Sequence, residues 1–439
     1  MTGRRMLVLL VALAAIGIPA AVLTATCAGR SCESAGGGEV RVPFCPLPRA
    51  VKDGVVNGFR EGRSPDVLGV ADGTPVYTGS GHARAAWPTA GASIDTGVPI
   101  VLSGAGVTRG APLPNGTTLD RIAPTVSRIL GFEREHPEVR SGTTLPGVAD
   151  GARPRLVLLV AWKGAGTAQL GGGHQDWPFL SSLLREGAGT IHGRSGSLPL
   201  DPIATETTIG TGGLPWQHGI TGSYIRNTRG QVVQAYTPNA PVQIIATLAD
   251  DLDQADRATK VGLVAPDQTD RGLVGGGWYP DEDPVDVSIG DGAAAPLAVR
   301  TRLERGYGAD DVPDVLAVVL DGSVRDMDRW TKQIVTEAQR ATSGSTLVAV
   351  AGTGSWETHP RAVPDTALVN AVEDAVPGDE KAVDAAVPGG LFLDQKVLTD
   401  EQVTGQVAVD AMLSATDPDG ERMLADAFQG FAVSFARYC

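Results

Sequence analysis

Lysine is scarce in this chain, with six among 36 basic residues and the rest arginine. Acidic residues outnumber basic ones by 50 to 36, the net charge is −14, and no Lys/Arg block occurs beyond the extreme N-terminus. That balance argues against nucleic acid as a partner. Cysteine is equally sparse: Cys27, Cys32, Cys45 and Cys439 all lie at the chain ends, and none has the CxxC spacing of a zinc-cysteine site. A glycine-rich phosphate loop of the GxGxxG form is missing too, since AWKGAGTAQLGGG lacks the spacing; this weighs against an unrelated nucleotide-binding α/β enzyme. No internal repeat is present. What the chain does have is a 42% hydrophobic share over 439 residues with 20% charged, enough to bury a sizeable core. A disordered chain and a small disulfide-stapled scaffold are both excluded.

Arg4 and Arg5 precede the uncharged stretch Met6 to Thr26, which as a helix reaches roughly 31 Å, about one hydrocarbon core. The expectation is an export signal or, preferred for want of a clean cleavage site, an uncleaved membrane anchor with the remaining chain outside the cytosol. Export into oxidising surroundings makes disulfides the default. Of three pairings we expect Cys27–Cys32 and Cys45–Cys439, with free thiols as the alternative.

Residues 29–60 read as a linker, flexible in GRSCESAGGG and extended in VPFCPLPRAV. Apolar runs follow at 66–70, 98–104, 155–162, 260–265, 314–321 and 345–352, several apolar throughout, as strands covered on both faces require. Helices are expected over Ile122–Leu130, Pro178–Glu186, Val242–Leu252 and Met327–Ala341. The alternation predicts an α/β fold, a mainly parallel sheet sandwiched between helices, with its chemistry at the carboxyl ends of the strands. Residues 361–400, rich in Pro, Ala and acids, read as a surface excursion.

The segment SLPLDPIATETTIGTGGLPWQHGITGSY, residues 197–224, carries Thr211, Gly212, Pro215, His218, Gly219 and Ile220 in a Thr-Gly…Pro…His-Gly-Ile pattern. It resembles the alkaline phosphatase superfamily, in its type I phosphodiesterase and nucleotide pyrophosphatase branch. VPDVLAVVLDGSVRDMDRW and STLVAVAGTGSW resemble two further strands of that family, and VGLVAPDQTDRGLVGGGWY its central strand and loop. DTGVPIVLSGAGVTRGAPLPNGTTLDRIAPTVSRILGF resembles the family's closing segment, yet it comes early, at 95–132. The resemblance therefore implies one domain over 61–439 in circularly permuted order, with 61–150 as the family's C-terminal part and 154–439 as its N-terminal and central part.

The same resemblance implies two metal ions, usually zinc, and a Thr or Ser nucleophile. The matching positions are poorly supplied. Trp162-Lys163 stands where a ligand Asp is expected, Arg325 where a histidine is, and Gly352-Thr353 where Asp-His is. Pro202 or Asp201 occupies the nucleophile position, with Ser197 and Thr205 the nearest hydroxyls. Only Asp321 and His82 are left as candidate metal ligands, and His218 is expected in a structural role. Lys163 and Arg325 could instead bind a phosphate-type anion, or pair with nearby acids such as Asp321.

The expected function is a non-catalytic binding or scaffold domain of the cell envelope, without cofactor, touching the membrane through residues 6–26 and binding a phosphate-type anion or an envelope protein. The alternative is an active phosphoesterase or phosphodiesterase using zinc or manganese, held by Asp201, Asp267, Asp270, Asp281, Glu282, Asp283, His174 and Asp176.

Overall fold

The computed structural model describes residues 42–79, 85–90, 97–275, 277–281, 283–354 and 361–438. The chain divides into two compact units, Met1–Val42 and Pro43–Cys439, and all that follows concerns the second. The stretch 6–26, His82, Cys27, Cys32 and Cys439 lie outside the described residues. Cys45 is disulfide-bonded, but both expected pairings involve cysteines beyond those residues. Among the described residues no helix is long and apolar enough to cross a membrane.

The fold is mixed α/β, built on a large, mostly parallel central sheet. In chain order its main strands are β2 (Gly97–Gly104), β3 (Leu156–Lys163), β4 (Ala188–Arg194), β5 (Val261–Ala265), β6 (Asp286–Ile289), β7 (Asp314–Asp321) and β8 (Thr346–Gly352); β1 (Val67–Ala71) belongs elsewhere. The order across the sheet is β6-β5-β7-β3-β8-β2-β4, closed at the far edge by the two-residue strand Ala111–Pro112. From β6 to β8 all pairings are parallel; β2 runs antiparallel to both β8 and β4.

Two cores explain why the central runs are apolar throughout. In β3, Val157, Leu159 and Ala161 enter the core on one face, while Leu156, Leu158, Val160 and Trp162 enter the other. In β7, Val315, Ala317 and Val319 alternate with Leu316, Val318 and Leu320 in the same way. Each fully buried aliphatic side chain contributes about 1.5–3 kcal/mol, so a strand with no polar face holds its register strongly. Helices α2 (Ile122–Leu130) and α5 (Leu248–Ala255) cover the first face; α3 (Pro178–Glu186), α6 (Ala295–Glu304) and α7 (Val324–Ala341) cover the second.

A second, antiparallel sheet has the order β9-β10-β1-β11, from β9 (Val383–Val387), β10 (Gly390–Leu393), β1 and β11 (Leu424–Gln429). Helices α8 (Thr366–Ala375) and α9 (Gly405–Ser414) pack on it around Leu368, Val372 and Met412. The expectation of a surface excursion over 361–400 is thus corrected: much of that stretch is core. Its acids work locally, as when the Glu373 carboxylate accepts from the Ala382 and Val383 N–H groups at 2.8 and 3.1 Å. The linker expectation also stops short, because Arg49–Gly58 forms α1, burying Val51 and Val55 one turn apart against a cluster containing Leu198 and Phe428.

Candidate functional site

The parallel strands end at one edge of the sheet, where α/β folds place their chemistry. Lys163 ends β3 and Asp321 ends β7, and the two are direct register partners. The loop after β5 brings in Asp270, whose Oδ1 lies 2.6 Å from Lys163 Nζ, with the carboxylate fully buried and the lysine nearly so. Burial pulls the Lys163 ammonium's pKa down, but Glu206, Asp270 and Asp321 outweigh it and leave it raised. The lysine is therefore a fixed cation neutralising a patch of acids.

Glu206 belongs to none of the motifs that singled out the other site residues. It lies on α4 (Pro202–Thr211), every residue of which is buried. Both of its carboxylate oxygens are buried and lack a hydrogen-bond partner. Burial first, then Asp270, pushes its pKa well above the usual value, against the opposing pull of Lys163. Asp321 Oδ1 is likewise buried without a partner.

Asp201, at the expected nucleophile position, is the N-cap of α4. Its Oδ1 accepts from the Ile203 and Ala204 N–H groups, and its Oδ2 from the Ser223 N–H and hydroxyl, all within 3.3 Å. Two of the four donors are helix N–H groups two and three residues on, which makes the carboxylate a capping group. Pro202 takes the first helical position, where its missing N–H costs nothing. Ser197 and Thr205 are both buried.

The Thr-Gly…His-Gly-Ile pattern builds the wall behind these groups. His218 is fully buried; its Nδ1 accepts from the Ile220 N–H at 3.2 Å, which leaves Nε2 to donate to Thr208 Oγ1 at 3.1 Å. Burial, assisted by Arg63 and Arg60, lowers its pKa to about 3, so it stays neutral. The Thr211 carbonyl accepts from both Arg134 and Arg140, which also meet Asp251 at 2.7 and 3.4 Å. Gly212 and Gly219 adopt positive φ at the ends of α4 and of the following helical turn, where a side chain is strained.

Of the remaining expected residues, Arg325 is largely exposed and paired with Asp176 at 2.5 Å. It is not joined to Lys163, so the two expected anion-binding cations are each answered by their own acid. Of the alternative ligands, Asp270 is taken by Lys163 and Asp176 by Arg325, while Asp267 donates its backbone N–H to Asp270 Oδ2 at 3.3 Å. Glu282 lies outside the described residues. Among the described residues no group of three or more His, Cys, Asp or Glu side chains is placed to hold a metal ion. The donor chemistry gives the reason, since an ammonium 2.6 Å from the central carboxylate repels a dication. The residues described do not fit a two-metal centre.

Farther along the same edge, β2 begins at Gly97 and β4 ends at Arg194, and both line a polar cleft of ≈ 1170 Å³. Arg194 and His192 are exposed there.

No family model and no curated protein matches the chain. Among solved structures it is similar to wild-type alkaline phosphatase PafA, with a TM-score of 0.44 and 14% identity over 60% of this chain and 76% of that one. A mutant of the same phosphatase gives 0.42 and 15% over the same shares. A likeness this remote assigns no residue a role.

Proposed function

We propose that this protein is an alkaline-phosphatase-like domain in permuted order whose metal centre has given way to an internal ion pair, and that it serves as a non-catalytic binding or scaffold module of the cell envelope, exported and held by its N-terminal stretch. The observation that carries this is the Lys163–Asp270 contact at 2.6 Å, set among Glu206 and Asp321 at the carboxyl edge of the sheet. An ammonium built into the chain supplies the positive charge that the acids require, and it cannot polarise a phosphoryl oxygen or activate water as a dication does. The four hydrogen bonds on Asp201 add support, because a carboxylate saturated by donors is a poor nucleophile.

A metal-dependent phosphoesterase is the alternative, favoured by one observation: the unpartnered oxygens of Glu206 and Asp321 are what a bound cation would satisfy. Elemental analysis of the purified full chain, with turnover of p-nitrophenyl phosphate and its bis-ester, decides between the two. The proposal predicts substoichiometric metal and no turnover above background. About two zinc or manganese ions per chain together with turnover would refute it.

A further inference from the structure

The cleft beside Gly97 and Arg194 encloses ≈ 1170 Å³, more than the roughly 300–1,000 Å³ that a drug-sized ligand needs. Its position at the carboxyl edge of the sheet follows from topology, since β4 runs antiparallel to β2 and so ends where β3 and β8 end. Arg194 is anchored there through its backbone, whose N–H donates to the Thr117 carbonyl at 2.8 Å. Its guanidinium makes no hydrogen bond or ion pair to any described residue, in contrast to Arg325, Arg134 and Arg140. The neighbouring His192 ring is also exposed and unpartnered among the described residues. Arg49, which also lines the cleft, is matched by Asp53 at 3.4 Å, so among the described lining residues the cation without an acid is Arg194. Asn115 accepts from Thr190 Oγ1 at 3.3 Å through its side-chain oxygen, and its amide N–H groups have no partner among the described residues. Among the described residues no Phe, Tyr or Trp lines the space.

We propose that this cleft binds a polyhydroxylated ligand carrying a single phosphate, such as a phosphorylated sugar. The planar guanidinium of Arg194 takes two phosphate oxygens in a fork, a geometry that a lysine would not supply. His192 adds a third donor, and the lining hydroxyls of Thr118, Thr167 and Ser195, whose protons are committed to Asp120 and to the Ile191 and Ser197 carbonyls, offer acceptors to sugar hydroxyls. The lack of aromatic rings disfavours a nucleobase, which binds by stacking. The net charge of −14 disfavours polyanions, which the whole molecule repels, while leaving room for one locally neutralised phosphate. This inference does not depend on whether the ion-paired centre is silent, because it uses none of the same side chains.

The test is calorimetric titration of the full chain with glucose 1-phosphate, inorganic phosphate and glucose, alongside NMR of the His192 ring. Binding of glucose 1-phosphate with displacement of the His192 resonances, and at least tenfold weaker binding of phosphate or glucose alone, is expected. Arg194→Gln should weaken it by roughly tenfold to a hundredfold, whereas Arg300→Gln on the distant α6 should not. The proposal is overturned by an absence of heat and of His192 shifts at about 10 mM ligand, by equal affinity for inorganic phosphate, or by a folded Arg194→Gln that binds as the parent does. Should Arg194→Gln not fold, the wild-type His192 shifts and the comparison of the three ligands decide alone.

Discussion

Lys163 carries opposite demands, being buried yet surrounded by acids, and its replacement separates them. Lys163→Met leaves Asp270 charged and unpaired in a fully buried position, a loss of about 3–5 kcal/mol where one partner of a buried pair is removed. Lys163→Met combined with Asp270→Leu should recover most of that, because two apolar groups need no compensation. Urea denaturation of the three proteins checks both statements, and a double variant as unstable as the single one contradicts them. Glu206 gives a pH signature instead. Its folded pKa is raised by burial and by Asp270 above the usual 4.5, so the folded state keeps a proton that the unfolded chain has released. Stability from this group is complete below the unfolded value and falls as pH rises through the window up to the folded one. Glu206→Gln, permanently neutral, should therefore gain on the parent protein from pH 4.5 upward and show a constant offset below it. His218 works in the opposite sense: its folded pKa of about 3 lies below the unfolded 6.5. It erodes stability as pH falls from 6.5 toward 3, and His218→Gln should remove that acid limb of the thermal stability profile.

Helices in this molecule borrow caps from one another, which also explains what could and could not be read from the sequence. Trp177, at the N-cap of α3, makes no side-chain cap bond; Asp328 on α7 does so from 149 residues away, accepting from the Phe179 and Leu180 N–H groups at 3.0 and 2.7 Å. Asp328→Ala should cost about 1–3 kcal/mol, the desolvation of two donors left unpaired, with Asp328→Asn losing less; thermal melts of the two variants would show the order. Such a partner is invisible to local pattern, whereas the two-faced apolar alternation of β3 and the boundaries of α2 and α3 are local and were legible. The helix expected over Val242–Leu252 begins at Leu248 because Thr247 caps it and pairs reciprocally with Asp250, a Thr-x-x-Asp signal outweighed by the apolar Val242, Ile244 and Ile245. At the site, Lys163 and Asp321 were legible as strand ends. Glu206 was not, because α4 is buried on all sides and so has no periodicity to contrast it with. Arg194 and His192 belong to no motif, and only the antiparallel pairing of β4 with β2 places them at the carboxyl edge.

At the scale of the whole molecule, one sheet is nested inside the other along the chain. The main strands of the central sheet fall within 97–352, while β1 lies before them and its partners β10 and β11 come from 390–393 and 424–429. β1 is buried along its full length, so it depends on strands more than 300 residues away, and closing that loop is affordable only once the central sheet has drawn the ends together. Leu198 and Leu200, above the central sheet, join Val70 and Phe428 in one cluster and couple the two layers. Truncation after Gly354 should therefore leave β1 with both edges open and this cluster uncovered, and such edges recruit other chains. A fragment spanning 43–354 is expected to aggregate, while one spanning 97–354, which lacks β1, should stay soluble for longer and keep parallel-sheet circular dichroism. Sedimentation and far-ultraviolet spectra of the two fragments test this. If the longer fragment were the more soluble, β1 would not be the strand that ties the ends of the chain into one fold.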